Sequence, residues 1–429
     1  MSIRDINYRP AQHGGMEIIM KRVAVTGIGA ITPVGNSAAE LWDSLKSGRC
    51  GIDFITKFDT SDLKVKIAAE VKNFSPENYV ESKSEIRKLD MFALYALAAA
   101  KEAVDDSGII GTVDAERLGV YVGSGIGGMD TFVSETKQLL EKGPSRVSPH
   151  FIPKMIGNIA SGNIAIKYGA KGVCLPIVTA CATSNHSIGE AFHAIAHGYA
   201  DAIIAGGSEA AINRLAVAGF TNCMALTKRD DPARASIPFD KERDGFVMGE
   251  GSGIIILEEY EHAVSRGAHI YAEICGYGNT CDAYHVTAPN PEAEGGAMAI
   301  RLAMQEAGLD GSEKIYVNAH GTSTPLNDKS ETLAIKKAFG DKNARKLLIS
   351  STKSMTGHML GAAGAVEAIA CVKALEEEII PPTIGYKVPD EECDLDYVPN
   401  TAREYGAEYA ASVSLGFGGH NACVIFKKA

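Results

Sequence analysis

Short apolar runs alternate with alanine-rich stretches along the chain from Met20 onward. The β-branched run at residues 21–27 predicts a buried strand, because its side chains suit a pleated sheet covered on both faces. Residues 91–104, 187–197 and 366–375 carry small and apolar side chains at helical spacing and predict helices. This alternation indicates the α/β fold class with a largely buried sheet.

Two of the apolar runs end at chemically reactive side chains. Residues 177–181 end at Cys181, and residues 315–320 end at His320. Active sites of α/β proteins lie where strands end and turns begin. We therefore predict that these two passages contribute to one functional site.

The chain divides into three segments by pattern. Residues 1–19 are polar and show no helical or strand period, which predicts a flexible N-terminal extension. A helix ends near Arg266 and a new strand begins at Ile270, so we place a boundary between halves at 20–268 and 269–429. The first half contains Cys181 and the second contains His320 and His358.

Composition narrows the class of protein. The 429 residues are 45% apolar and carry a net charge of -11, which argues against a nucleic-acid partner. No apolar run approaches the roughly 18 residues that cross a bilayer, so membrane insertion is not expected. The nine cysteines are scattered without metal-ligand spacing, which favours a reducing cytoplasm and predicts no metal site.

Cys181 is the first candidate for chemistry. It precedes a stretch with small and apolar residues at helical spacing, so it should lie at a helix start. The free N–H groups there favour thiolate over thiol, and we expect a lowered cysteine pKa. A nucleophilic thiol suited to thioester exchange is the functional interpretation, and one more buried cysteine is the alternative.

Two histidines and a glycine-rich turn accompany this cysteine. His320 and His358 both lie in glycine-flanked turns, and Lys353 precedes His358 within residues 352–358. Residues 415–421 contain three glycines around Phe417, so their backbone N–H groups can approach a ligand and form an oxyanion site. Taken alone, that turn is equally well explained as a tight connection between strands.

These segments together resemble the elongating β-ketoacyl-acyl-carrier-protein synthases, most closely the synthase II group. The resemblance covers residue 20 to the C-terminus. It rests on six motifs in the family's order, at residues 23–36, 123–128, 239–251, 319–325, 352–358 and 416–421.

The resemblance implies a thiolase-like, five-layered αβαβα fold built from two duplicated halves, and a cytoplasmic homodimer that works with acyl carrier protein. It implies an acyltransferase for fatty acid elongation, in which an acyl chain on Cys181 condenses with malonyl-acyl-carrier-protein and carbon dioxide is lost. His320 and His358 would support decarboxylation, and Lys353 would order the site. The backbone N–H groups of Cys181 and Phe417 would form the oxyanion hole.

Further positions follow from the same resemblance. Thr322 and Thr324 would contact the phosphopantetheine arm. Ile126 would lie at the bottom of the acyl pocket, near the dimer interface, and Phe417 would also contact the substrate. Arg87, Lys88 and Arg146 would form the docking patch for the carrier protein. No cofactor and no metal ion are expected.

Two alternatives remain open on sequence grounds. A free-standing ketosynthase of a polyketide or aryl-polyene pathway would use the same Cys-His-His set on another acyl chain. A non-catalytic carrier-binding partner is a different class of protein, and the retained Cys181, His320 and His358 count against it.

Overall fold

The computed structural model describes residues 20–80 and 82–429; the predicted extension at residues 1–19 lies outside this part of the chain. The strands are β1 Val23–Ile31, β2 Asp53–Phe54, β3 Ile67–Ala68, β4 Leu118–Gly123, β5 Ala202–Glu209, β6 Gly251–Glu259, β7 Ala272–Cys281, β8 Ile315–Asn318, β9 Leu348–Ser350, β10 Ile379–Ile380, β11 Arg403–Glu404, β12 Tyr409–Gly416 and β13 His420–Lys428.

The α-helices alternate with these strands, as the sequence pattern predicts. They are α1 Ala38–Ser47, α2 Lys83–Ile86, α3 Met91–Ser107, α4 Met129–Lys142, α5 Phe151–Met155, α6 Ile159–Tyr168, α7 Thr183–Ala196, α8 Arg214–Asn222, α9 Tyr260–Ser265, α10 Glu294–Glu306, α11 Pro325–Phe339, α12 Asp341–Ala344, α13 Lys353–Thr356 and α14 Ala363–Glu377. None of the helices formed by the described residues has the length and apolar character needed to span a membrane.

The main sheet repeats one arrangement in each half. In the first half, β4 runs parallel to β5, and β6 lies antiparallel between β5 and β1. In the second half, β8 runs parallel to β12, and β13 lies antiparallel between β12 and β7. Within the main sheet, β1 and β7 pair across the two halves, at residues 23–25 and 272–274. The predicted duplication is therefore present in the topology.

Both faces of the strands are buried, which explains their continuous apolar sequences. On β6, Ile254 and Ile256 pack with α3 and α6, whereas Ile255 and Leu257 pack with α7 and α14. On β13, Ile425 packs in the outer cluster with residues of α10 and α11. The layers are therefore helix, sheet, helix, sheet, helix, and the predicted five-layered fold is confirmed.

One predicted strand is absent. Residues 175–179 carry no strand pairing, and a bridge between Val120 and Cys174 pairs the preceding backbone with the sheet. Val173, Leu175 and Val178 are exposed along this edge. The apolar run thus reflects an uncovered sheet edge rather than a strand buried on both sides.

Candidate functional site

Cys181 lies in a 3-10 turn, Ala180–Ala182, that leads directly into α7. Ala180 has φ of 52°, a left-handed conformation that L-residues rarely adopt and that aims the next residue out of the helix axis. Gly416 at the end of β12 allows the turn to approach, because a Cβ there would lie 2.9 Å from the Thr179 carbonyl oxygen. The turn is thus fixed by contacts with the other half of the chain.

His320 and His358 meet Cys181 from the second half. His320 follows β8, and His358 follows α13. One ligand atom from each of the three side chains lies within 4.8 Å of the others. The two imidazole rings stand nearly perpendicular, with centroids 5.2 Å apart. Sequence positions 181, 320 and 358 therefore form one cluster.

The backbone at His320 is held by a buried carboxylate. The N–H groups of His320 and Gly321 donate to Glu331 at 2.6 and 2.7 Å. Burial raises the pKa of Glu331 to about 8, although the two N–H donors act against this. Glu331 thereby fixes the turn that presents the His320 ring.

His320 and His358, the two candidate catalytic histidines, are both neutral at pH 7. Burial lowers the pKa of His320 and His358 well below the usual value, and the positive charge of Lys353 adds to the effect. Within the described chain, Nδ1 of His320 and both ring nitrogens of His358 are buried without a hydrogen-bond partner. Neutral imidazoles placed in this way can each donate one N–H to a ligand oxygen.

Lys353 stands behind this cluster rather than in it. It is buried, and its Nζ forms an ion pair with Glu367 of α14. Pairing lets a charged side chain remain in the interior, where an isolated ammonium would be strongly disfavoured. Its positive charge lowers the pKa of Cys181, of His320 and of His358.

The expected lowering of the Cys181 pKa is wrong for the free protein. Burial raises the pKa of this thiol to about 11, and the charge of Lys353 and the Phe417 N–H only partly offset the burial. A position at a helix start favours the thiolate, but the side chain is only 9% exposed and loses the solvation that a thiolate needs. The resting cysteine is therefore a protonated thiol.

A pocket of about 380 Å³ opens above Cys181. It is lined by both histidines, by Thr322 and Thr324, and by Phe417. The hydroxyls of Thr322 and Thr324 lie 2.9 Å apart, and the Phe417 N–H forms a hydrogen bond to the Cys181 thiol. Six of the predicted site residues thus surround one cavity.

The other predicted residues lie outside this pocket. Ile126 is 41% exposed in the loop after β4, on the far side of the Cys181 turn. Arg87, Lys88 and Arg146 are exposed, and no described contact brings them to the pocket wall. Lys154 donates to the Arg87 carbonyl oxygen at 3.4 Å and adds a cation beside Arg87 that sequence reasoning missed.

Sequence reasoning also missed two buried acids, Glu209 and Glu331. Glu209 accepts from the Gly361 N–H, 152 residues away in sequence, and Glu331 accepts from the His320 N–H, 11 residues away. A glutamate at a strand end or on a helix resembles any surface glutamate in the one-dimensional pattern. No local signal could have identified either residue.

Comparisons with known proteins place this site in context. Residues 20–263 match the family "Beta-ketoacyl synthase, N-terminal domain", and residues 271–387 match the family "Beta-ketoacyl synthase, C-terminal domain". The chain is 52% identical over 409 residues to the 3-oxoacyl-[acyl-carrier-protein] synthase 2 of Staphylococcus aureus strain COL, covering 95% of this chain and 98% of the relative.

Solved structures show the same fold. The ishigamide ketosynthase/chain length factor matches with a TM-score of 0.89 and 38% identity, covering 96% of this chain and all of that chain. A type II polyketide ketosynthase in complex with its acyl-carrier protein and bound to a hexaketide, AntDE:AntF, matches with a TM-score of 0.87 and 34% identity over the same shares.

Proposed function

The chain belongs to the β-ketoacyl synthase family, and we propose that it performs the condensation of fatty acid elongation with Cys181 as nucleophile and His320 and His358 as donors. It acts as a 3-oxoacyl-acyl-carrier-protein synthase, the activity named in relatives of 52% identity. The observation that carries the assignment of residues is the buried cluster of Cys181, His320 and His358 within 4.8 Å.

The first step transfers the acyl chain. Cys181 attacks the carbonyl carbon of the carrier-bound thioester, the new C–S bond forms, and the carrier thiolate leaves. Because the resting thiol has a pKa of about 11, its proton must be taken up as attack proceeds. A neutral imidazole of the cluster is placed to accept this proton and pass it to the departing carrier thiolate.

The second step generates the carbon nucleophile. Loss of carbon dioxide from the malonyl thioester leaves an enolate whose negative charge falls on the thioester oxygen. His320 and His358 donate N–H groups to that oxygen. Within the described chain, Nδ1 of His320 and both ring nitrogens of His358 have no hydrogen-bond partner, so these rings are free to bind the substrate. Donors fixed in this way, in a water-poor pocket, are each worth about 3 kcal/mol of transition-state stabilisation in other enzymes.

The third step joins the two carbons. The enolate carbon attacks the acyl-Cys181 carbonyl, whose oxygen becomes negative and is held by the backbone N–H groups of Cys181 and Phe417. The C–S bond then breaks, and the Cys181 thiolate takes up a proton from water. The positive charge of Lys353 stabilises the thiolate as it departs, and its pairing with Glu367 keeps it in place.

The acyl chain and the carrier arm occupy different sides of Cys181. Thr322 and Thr324 line the open pocket and contact the phosphopantetheine arm. Ile126 lies behind the Cys181 turn, where a Cβ on the adjacent Gly125 would lie 3.5 Å from the Ala180 carbonyl oxygen. The acyl chain therefore extends toward the loop that contains Ile126.

A second copy of this chain completes that region. Val173, Leu175 and Val178 are exposed at the uncovered sheet edge, and Ile126 is 41% exposed beside it. The edge and the loop are adjacent, since a Cβ on Gly123 would lie 2.1 Å from the Ile177 carbonyl oxygen. Burying this apolar edge favours a homodimer.

Acyl carrier protein docks on the exposed cations Arg87, Lys88 and Arg146, which Lys154 extends. A solved relative carries its own acyl-carrier protein in complex. A local basic patch provides attraction that a protein of net charge -11 lacks overall. The requirement for a free Cys181 thiol places the enzyme in a reducing compartment, the cytoplasm.

The test uses Cys181→Ala. This variant should lose condensation because no acyl-enzyme forms, yet it should still release carbon dioxide from malonyl-acyl-carrier-protein, because both histidines remain. His320→Ala and His358→Ala should reverse the pattern: reduced carbon dioxide release with at least partial acylation of Cys181. Normal elongation by the cysteine variant would refute the nucleophile assignment.

A polyketide or aryl-polyene ketosynthase remains the second candidate, because a solved type II polyketide ketosynthase shares the fold at 34% identity. The 52% identity to a 3-oxoacyl-[acyl-carrier-protein] synthase 2 favours fatty acid elongation. Product analysis with saturated and polyene primers separates the two functions.

A further inference from the structure

A buried carboxylate without a role in the steps above lies on the far side of the Cys181 turn. Glu209 ends β5 and is fully buried. Its Oε1 accepts hydrogen bonds from the Ser124 hydroxyl at 2.8 Å and from the Ile126 N–H at 3.3 Å. Its Oε2 accepts from the N–H groups of Gly125 at 2.8 Å and Gly361 at 3.1 Å.

All of these partners are donors, so only a side chain with two acceptor oxygens satisfies them. Three of them are successive members of one loop, which also closes on itself because the Gly127 N–H donates to the Ser124 hydroxyl oxygen at 2.9 Å. Such a concave set of N–H groups binds an anion. Burial raises the pKa of Glu209 to about 7 against the pull of these donors.

Glu209 therefore connects backbone segments that have different tasks. The loop 124–127 carries Ile126, behind the nucleophile. Gly361 follows His358 by three residues and begins the approach to α14. The same loop packs on the nucleophile turn at the Ala180 carbonyl oxygen. One carboxylate thus sets the distance between the loop and both catalytic turns.

We propose that Glu209 is a positioning residue that determines acyl chain-length selectivity by holding the loop 124–127 against the turn that contains Gly361. The inference rests on the proposed function, in which an acyl chain on Cys181 extends toward Ile126. A long chain contacts the loop and depends on its position, whereas a short chain ends before it. Because Ile126 itself is 41% exposed, its side chain adds little packing to these hydrogen bonds.

Glu209→Gln is the informative change, because it keeps the shape but removes one acceptor. The amide NH₂ group would face two donors, either at Ser124 and Ile126 or at Gly125 and Gly361. Buried donors that lose their acceptor release the segment they belong to. The loop should therefore separate from one of its two attachments while the Cys181 cluster keeps its composition.

The experiment measures the second-order rate of Cys181 acylation by hexanoyl- and palmitoyl-acyl-carrier-protein, followed by intact mass. In Glu209→Gln the hexanoyl rate should stay within about threefold of wild type, and the palmitoyl rate should fall at least about tenfold relative to it. Ser124→Ala, which removes one donor and leaves the carboxylate, should shift the same ratio in the same direction by a smaller factor.

Glu102→Gln is the matched control. Glu102 is also a largely buried acid whose pKa burial raises to about 7, and it accepts from the N–H groups of Ala30 and Ala38 at 2.9 and 2.8 Å. It lies on α3 in the outer helix layer, so its loss should lower stability without changing the palmitoyl-to-hexanoyl ratio.

Three results would overturn the inference: equal loss for both primers in Glu209→Gln, a ratio that rises, or the same shift in Glu102→Gln. If Glu209→Gln does not fold, an unchanged ratio in Ser124→Ala decides against it. Wild-type enzyme that is acylated by neither primer would instead refute the proposed function, so the two failures are distinguishable.

Discussion

The helices of the middle layer, α7 and α14, begin in the same way in the two halves of the molecule. Each follows a 3-10 turn, Ala180–Ala182 or Leu360–Ala362. The first residue of each turn has positive φ, 52° at Ala180 and 46° at Leu360. Each turn also packs on the strand end of the opposite half, at Gly416 of β12 or near Glu209 of β5.

The second residue differs between the two turns, and this residue determines what each turn does. In the first turn it is Cys181, whose side chain enters the pocket. In the second turn it is Gly361, whose N–H donates to Glu209 and whose missing side chain leaves room for the Gly125 backbone. The duplicated backbone thus supplies a strained turn twice, and one side chain decides whether the turn performs chemistry or positions a loop.

The largest effect should come from making the first turn resemble the second. Cys181→Gly should reduce condensation at least about 1,000-fold, because no acyl-enzyme can form. The fold should persist, since the equivalent Gly361 turn is stable in the same conformation. Steady-state assays and thermal unfolding measure both outcomes. Condensation above this level would show that another thiol can act as the nucleophile.

The next effect concerns the protonation of Cys181. Burial of the turn favours the thiol, whereas an exposed helix start would favour the thiolate. The pKa of the Cys181 thiol is about 11. At pH values below this, each increase of one pH unit raises the thiolate fraction about tenfold. Alkylation by iodoacetamide, followed by mass and corrected with Cys181→Ala for the other cysteines, should therefore keep rising beyond pH 9. A plateau near pH 7 would mean that the helix start outweighs burial.

Adding a side chain to the second turn should cost stability. A Cβ at Gly361 would lie 2.4 Å from the Gly125 nitrogen and 2.9 Å from Glu209 Oε2. Gly361→Ala should therefore lower the free energy of unfolding by about 1–3 kcal/mol, the usual cost of overpacking. Urea denaturation measures the change. A cost under about 0.5 kcal/mol would mean that the loop 124–127 moves freely, against the positioning role of Glu209.

The smallest effect should come from relieving the strain at the nucleophile turn. Ala180→Gly removes the cost of a left-handed L-residue but raises the entropy of the unfolded chain, so stability should change by less than about 1 kcal/mol. Ala182→Gly is the control, because Ala182 has φ of -93° and the change should destabilise by about 0.5–1 kcal/mol. Equal losses in both variants would show that Ala180 is not strained.

The sequence predicted the fold and the residues around the pocket because both depend on motifs. His320 follows the end of β8 as predicted, whereas Cys181 follows an unpaired segment, and the structure brings His358 beside both. Burial depends on the rest of the molecule, so the raised Cys181 pKa could not be anticipated from a helix-start argument. The carrier-docking residues, the place of Ile126 at the bottom of the acyl pocket and the half-boundary at residue 268 stay predictions.

The duplication itself was barely visible in the sequence, since the two halves share a backbone plan rather than residues. Cys181 and Gly361 occupy equivalent turns, yet no local pattern aligns them. Topology preserves strand order and helix starts, whereas side chains at equivalent places have diverged toward separate tasks. The same divergence hides Glu209, whose equivalent place at the end of β12 lies close to Gly416.

The short connection between α9 and β7 separates Cys181 from the two histidines along the chain. Cys181 precedes this connection, and both histidines follow it, so a chain split at residues 266–271 would distribute the reacting groups over two polypeptides. Condensation would then require their reassociation along the β1–β7 seam and the middle helices. Turnover by such a split enzyme would therefore report the reassociation of its two halves.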